Sequence, residues 1–179
     1  MNQGNKNGYS YHYFYEYLPA KFEATDEQKR VRDFVYKFRH GDYKAIYDLI
    51  RNGIEDVING DTAQWTICCI PAHSLIKTQK RFESFLKQIS NELDVTNGYS
   101  LVSIKEDFVG SVFKTEPRSI LPNLGFNNNG ILGKRIILID DVLKTGRTFY
   151  DVADKLNSLG AFEIIGFFIA LTRNPDRLQ

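Results

Sequence analysis

Apolar and polar positions alternate along this chain with a period that changes from segment to segment, and each change marks an element. Inside YSYHYFYEYLP, Tyr11, Tyr13, Tyr15 and Tyr17 recur at every second position, which predicts an extended segment with one packed face. Residues 1–10 read as a loose polar lead into it, and Pro19 ends it. At Thr25-Asp26-Glu27-Gln28 a capping box opens a helical period carried by Val31, Phe34, Val35 and Phe38, and Gly41 stops it. A second helical pattern runs through Ile46, Leu49, Ile50, Ile54, Val57 and Ile58, weakened in the middle by Gly53. Trp65 to Ile70 (WTICCI) is a continuous apolar run, hence a buried strand, closed by Pro71. Residues 74–93 predict a third helix with Phe82, Phe85, Leu86, Ile89 and Leu93 inside, and Tyr99 to Ile104 another strand.

From Lys105 to Gly133 the pattern dissolves into Gly, Pro, Asn and scattered charge, with Asn127-Asn128-Asn129-Gly130 as a turn signal. A stretch this long without periodicity is expected to be functional or mobile. Regularity returns with IILIDDVLKTGRT (Ile136 to Thr148): four apolar residues, two acids that close the strand, and a turn into a helix faced by Phe149, Val152, Ala153, Leu156 and Leu159. Gly160 caps that helix, and Ile164 to Leu171 is a buried strand. Strand, helix and strand without a hairpin signal imply a right-handed parallel crossover. The fold class expected is α/β, a mainly parallel sheet flanked by helices. Residues 1–60 are expected as an N-terminal arm and helical hood, and residues 61–179 as the α/β core, in one structural domain overall.

The turn after the paired acids carries the chemistry. A helix N-terminus offers unpaired backbone N–H groups and the positive end of the peptide dipole, so an anion binds there. Gly146 permits a sharp turn and close approach, Thr145 and Thr148 add hydroxyl donors, and Lys144 and Arg147 add charge. Asp140 and Asp141, at the end of the strand, are free in this reading to accept hydrogen bonds from a polyol or to hold a hydrated Mg²⁺. A Walker B strand also ends in acids, but its partner spacing G-x-x-x-x-G-K-[ST] does not occur in the chain. The strand ending at Ile70 offers a second anion position, because Pro71-Ala72-His73-Ser74 leads directly into a helix that Ser74 can cap, with Lys77, Lys80 and Arg81 close behind.

Composition narrows the class. Hydrophobic residues at 42% and charged residues at 25% are ordinary for a globular protein, and 179 residues suffice for one α/β domain with a real core. A net charge of +1 leaves no clear nucleic-acid footprint. No apolar run approaches a membrane span, and the first ten residues hold no apolar signal core, so the expected compartment is the cytoplasm with no membrane partner. Cys68 and Cys69 are the only cysteines; adjacent in a strand, they point to opposite faces and are expected as buried small hydrophobes.

The stretch IILIDDVLKTGRT resembles the binding motif for 5-phosphoribosyl-1-pyrophosphate (PRPP) of the type I phosphoribosyltransferases: apolar strand, paired acids, Thr-Gly-x-Thr loop. That resemblance implies that Asp140 and Asp141 are the catalytic acids, engaging the ribose 2′ and 3′ hydroxyls and, directly or through water, the metal Mg²⁺. It implies that Lys144, Thr145, Gly146, Arg147 and Thr148 hold the 5′-phosphate. Lys144 stands where many members have Thr, which leaves the anion logic intact. Pro71, Ala72, His73, Ser74 and Lys77 take the pyrophosphate loop. A loop closing over the reacting centre falls between residues 105 and 133, with Lys105, Lys114 and Arg118 as cations within reach of the pyrophosphate. Phe34 to Ile50, Cys69 to Phe82 and Phe126 to Thr148 are similar in order and spacing to the competence protein F (ComF) family, although Lys80-Arg81-Phe82-Glu83 stands where that family has Arg-Gly-Phe-Asn and its four-cysteine zinc module is absent. The activity implied is Mg²⁺-dependent transfer of ribose 5-phosphate from PRPP to a nitrogen acceptor, with a non-catalytic PRPP- or nucleotide-binding, or ComF-like accessory, protein as the alternative. A homodimer is compatible with it. In this reading Asp141→Asn weakens PRPP binding and leaves the melting temperature nearly unchanged.

Overall fold

A strand buried on both faces is predominantly apolar, and the middle of this protein's sheet is built that way, with Thr66 as the one polar residue of its buried strand Trp65–Cys69. The computed structural model describes residues 1–105 and 119–173. Strand β3 (Trp65–Cys69) is buried at all five positions and pairs in parallel with β7 (Arg135–Leu143), Ile67 lying opposite Ile137. On the other side of β7 lies β8 (Glu163–Thr172), also parallel, with Ile165 opposite Ile137. The sheet has six strands in the order β1-β2-β8-β7-β3-β4, with β1 (Asn2–Lys6), β2 (Tyr9–Tyr17) and β4 (Thr96–Asn97) towards its edges. Within this sheet, among the described residues, only the β1–β2 pair is antiparallel.

The helices cover both faces. Helix α1 (Asp26–Arg39) begins in the expected capping box: Thr25 accepts from the Gln28 N–H, and the Gln28 side chain accepts from the Thr25 N–H. With α2 (Tyr47–Ile58) and α4 (Ser84–Leu93) it packs on one face, where Phe38, Ile54, Phe82, Phe85 and Ile89 meet Ile67, Cys69, Ile137, Ile139 and Phe167. Gly53 has a packing reason inside α2, because a Cβ there would come within 2.9 Å of a Phe14 ring carbon. The other face holds α6 (Arg147–Ser158), whose Phe149, Val152, Ala153 and Leu156 pack on Cys68, Ile136, Leu138 and Phe168. Cys68 and Cys69 thus serve opposite cores, and burial pushes both thiols up, Cys68 to about 12.

Three expectations change. Residues 1–10 are not a loose lead, because Asn7 (φ 55°) and Gly8 (φ 82°) form a tight two-residue turn that folds β1 back on β2. That hairpin and the first two helices share the sheet and its core. The predicted third helix is interrupted: α3 (Leu75–Thr78) passes into a π-turn at Gln79–Glu83 before α4. Within the stretch expected to be irregular, β6 (Leu124–Phe126) pairs antiparallel with β5 (Val102–Ile104), and α5 (Asn128–Ile131) follows the Asn127 turn, burying Ile131. Lys114 and Arg118 lie outside the described residues, and Lys105 is exposed with its Nζ 3.4 Å from the Pro122 carbonyl.

One buried side chain on β2 is expected to make the fold acid-sensitive. His12 is 8% exposed, its ring lies 5.0 Å from that of Phe167, and its Nδ1 has no partner among the described residues. Burial disfavours the imidazolium and lowers its pKa below the ordinary 6.5. As pH falls from 6.5 towards that lowered value, the unfolded chain binds a proton that the native chain refuses, so stability drops; above 6.5 the effect vanishes. Thermal melts of His12→Phe are therefore expected to show a shallower acid loss than wild type, and an unchanged acid slope would assign the loss elsewhere.

Candidate functional site

In open α/β sheets a ligand crevice forms where successive connections leave neighbouring strands in opposite directions. Here β3 connects through α3 and α4 to β4 on one side, and β7 connects through α6 to β8 on the other. The crevice lies between the carboxyl ends of β3 and β7, where Asp140 to Thr148 face the loop from Pro71.

The strand does not stop at its acids. Pairing continues through Val142 opposite Ala170 and Leu143 opposite Leu171, so β7 carries the turn three residues beyond Asp140. Lys144 and Thr145 are exposed, and Thr145 Oγ1 accepts from the Arg147 N–H at 3.4 Å. Gly146, at φ 81°, is the N-cap of α6 and brings no side-chain acceptor to the first-turn N–H groups. A pocket of about 80 Å³ opens there, lined by Ile70, Asp140, residues 142–149 and Phe168. Lys144, Thr145, Gly146, Arg147 and Thr148 all line it.

Across the crevice, Pro71 and Ala72 are buried and His73 is exposed. Ser74 caps α3 as expected, its Oγ accepting from the Lys77 N–H at 3.3 Å. Thr78 Oγ1 donates to the Ser74 carbonyl at 2.9 Å and holds the turn closed. Lys77 Nζ lies 2.8 Å from His73 Nε2, so these two side chains engage each other.

The acids are not free. Asp141 is 4% exposed, and the Arg39 guanidinium grips it in a fork, Nε to Oδ2 at 2.5 Å and Nη2 to Oδ1 at 3.3 Å. Arg81 Nη1 stands 3.1 Å from Asp141 Oδ2 and 3.5 Å from Asp140 Oδ1. The Asp141 N–H donates to Asp140 Oδ1 at 2.8 Å. The expectation of two unengaged carboxylates therefore fails at Asp141, for an electrostatic reason: a buried carboxylate needs paired charge, and two arginines supply it. Arg81 was visible in the chain only as a cation near the Pro71 loop. Arg39 had no local signal, since it lies 102 positions from the acid it binds.

Direct ligation of a divalent cation by the pair does not fit this geometry. Both Asp141 oxygens already receive guanidinium N–H groups, and no set of three His, Cys, Asp or Glu side chains among the described residues is arranged to hold a metal.

Burial, and then the neighbouring Asp141 charge, push the Asp140 carboxyl up to about 7, against the pull of Arg81. The native state then keeps a proton that the unfolded chain releases near 3.8, so this group's contribution to stability is complete below 3.8 and is lost as pH rises through about 7. Asp140→Asn is expected to raise the melting temperature at pH 8 and to change it little at pH 4. Calorimetric melts at the two pH values check this; a loss at pH 8 would mean that the ionised carboxylate stabilises the fold.

Comparisons with known proteins bear on this crevice. A family model described as the phosphoribosyl transferase domain matches residues 42–178. No curated protein matches the chain. Among solved structures, adenine phosphoribosyltransferase from Saccharomyces cerevisiae is similar with a TM-score of 0.46 and 13% identity, over 74% of this chain and 69% of that one. Purine phosphoribosyltransferase from Pyrococcus horikoshii gives 0.39 and 17%, over 71% and 82%. An allosteric regulatory enzyme of purine biosynthesis gives 0.49 and 13%, over 75% of this chain and 30% of that one. No described helix is long and apolar enough to cross a membrane. With the family model spanning both sides of the crevice and most of the sheet, the chain belongs to the phosphoribosyltransferase family, as an enzyme of PRPP-dependent transfer whose acceptor is unspecified.

Proposed function

We propose that this protein transfers ribose 5-phosphate from PRPP to a nitrogen acceptor in the crevice between β3 and β7. One observation carries the reading: an anion-sized pocket at the N-terminus of α6 opens directly beside Asp140 and is also lined by Ile70, where the Ser74-capped loop leaves β3. In this reading the 5′-phosphate sits among Lys144, Thr145, Gly146, Arg147 and Thr148, where backbone N–H groups and the helix dipole favour negative charge. Asp140 accepts from the ribose hydroxyls. The diphosphate lies towards Pro71, Ala72, His73, Ser74 and Lys77.

The acceptor nitrogen forms a bond to C1, the bond from C1 to the diphosphate oxygen breaks with its electrons leaving on pyrophosphate, and the nitrogen's proton passes to solvent. No protein nucleophile is required. The protein's part is to hold two anions and the ribose in line and to place positive charge where the diphosphate leaves. Mg²⁺ in this reading is part of the substrate, carried on the diphosphate, and no step is assigned to a metal held by the aspartates.

Pyrophosphate release from Mg-PRPP across purines, pyrimidines, orotate and ammonia tests this. Turnover with one class is expected and identifies the acceptor. PRPP binding without release on any of them would overturn transfer to nitrogen in favour of the non-catalytic alternative.

A further inference from the structure

We propose that Arg39 and Arg81 are built-in counter-cations of the site, so that PRPP binds this protein without a divalent cation. The inference rests on the reading of the crevice as a PRPP site. Two carboxylates beside a diphosphate repel it unless positive charge stands between them. A divalent ion is one solution, and the geometry at Asp141 disfavours it. The chain supplies another, from two elements that are far apart in sequence.

Arg81 stands on the π-turn, separated from the Pro71 loop by the short helix α3, and one of its nitrogens reaches both aspartates. Its side chain is only 13% exposed and lies over the Phe82 ring at 5.5 Å, so it is held in place. Its Nε is buried without an acceptor among the described residues, which leaves donor capacity for an incoming oxygen. Arg39 ends α1 and is 42% exposed, so it can leave Asp141 for an anion without unfolding anything.

The backbone segments that carry the two cations are also fixed relative to each other. Gly41, just beyond α1, has φ 85° and packs on the Lys80 carbonyl so closely that a Cβ would come within 2.5 Å of it. The Phe38 ring contacts those of Phe82 and Phe85 at 5.7 and 5.3 Å. The end of α1 and the π-turn therefore present their arginines as one unit. Arg39 and Arg81 neutralise the aspartates while the site is empty and shift charge towards the diphosphate when it arrives. They are positioning residues, and they become direct ligands only if they touch that diphosphate.

Calorimetric titration of the full chain with PRPP in Mg²⁺ and in excess EDTA decides it. Wild type is expected to bind in EDTA within about tenfold of its affinity in Mg²⁺. Arg81→Met should lose about 100-fold in EDTA and recover much of it in Mg²⁺, creating a metal dependence that wild type lacks, while Arg81→Lys restores binding in EDTA. Wild-type binding that needs Mg²⁺ overturns the inference and leaves the PRPP reading standing, and this arm requires no variant to fold. Equal loss by Arg81→Met in both buffers overturns it as well. Absence of PRPP binding in both buffers overturns the inference and the PRPP reading together.

Discussion

Asp141→Asn is expected to lower the melting temperature by about 5–10 °C, a loss of fold stability as large as any loss at the site. Asp141 is buried and receives three guanidinium contacts. Removing one partner of a buried pair leaves uncompensated charge and costs about 3–5 kcal/mol. The half exposure of Arg39 lets water take part of that, bringing the figure to about 2–3 kcal/mol, and each kcal/mol moves the melting temperature of a chain this size by about 2–4 °C. An amide would also turn an N–H donor towards guanidinium donors. The expectation from the motif alone, weaker PRPP binding with unchanged stability, treated Asp141 as an exposed ligand. A melting temperature within about 1 °C of wild type would restore that view and show that the arginines find other partners.

Gly146→Ala is expected to weaken PRPP binding about 100-fold. At φ 81° any Cβ is strained, costing about 1–2 kcal/mol, and here it would also lie 2.3 Å from Tyr150 Cε2. The Tyr150 ring cannot simply retreat: it is 7% exposed, packs on Phe149 at 5.1 Å and has Lys6 Nζ 6.0 Å from its centroid. The turn must therefore shift, and the first N–H groups of α6 shift with it. The measurement is PRPP affinity alongside thermal melting. Unaltered affinity with a lowered melting temperature would move the phosphate away from this turn.

What was legible in the chain was local. The capping box at Thr25, the Ser74 cap, the strand expected over Trp65 to Ile70 and the turn at Gly146 each depend on a few neighbouring residues, and each is found, the strand as Trp65–Cys69. The β1–β2 hairpin was legible too, because Asn7-Gly8 is a strong two-residue turn signal; the polar flanks of an edge strand concealed it. Ending β7 at its acids overlooked Val142 and Leu143, which continue the apolar pattern and pair with β8. The Arg39–Asp141 pair was not legible, since no short-range pattern joins side chains 102 positions apart. The π-turn was equally hidden: one extra residue in a helical run leaves the apolar spacing of Phe82, Phe85 and Leu86 looking helical.

The claim beneath all of this is that one crevice holds both ends of PRPP. Competition calorimetry addresses it most directly: PRPP titrated into wild type alone, then in the presence of ribose 5-phosphate and, separately, of pyrophosphate. The geometry predicts that PRPP binds with one site per chain and that each fragment competes, because each occupies one side of the crevice. No PRPP binding, or PRPP binding that neither fragment reduces, would contradict it.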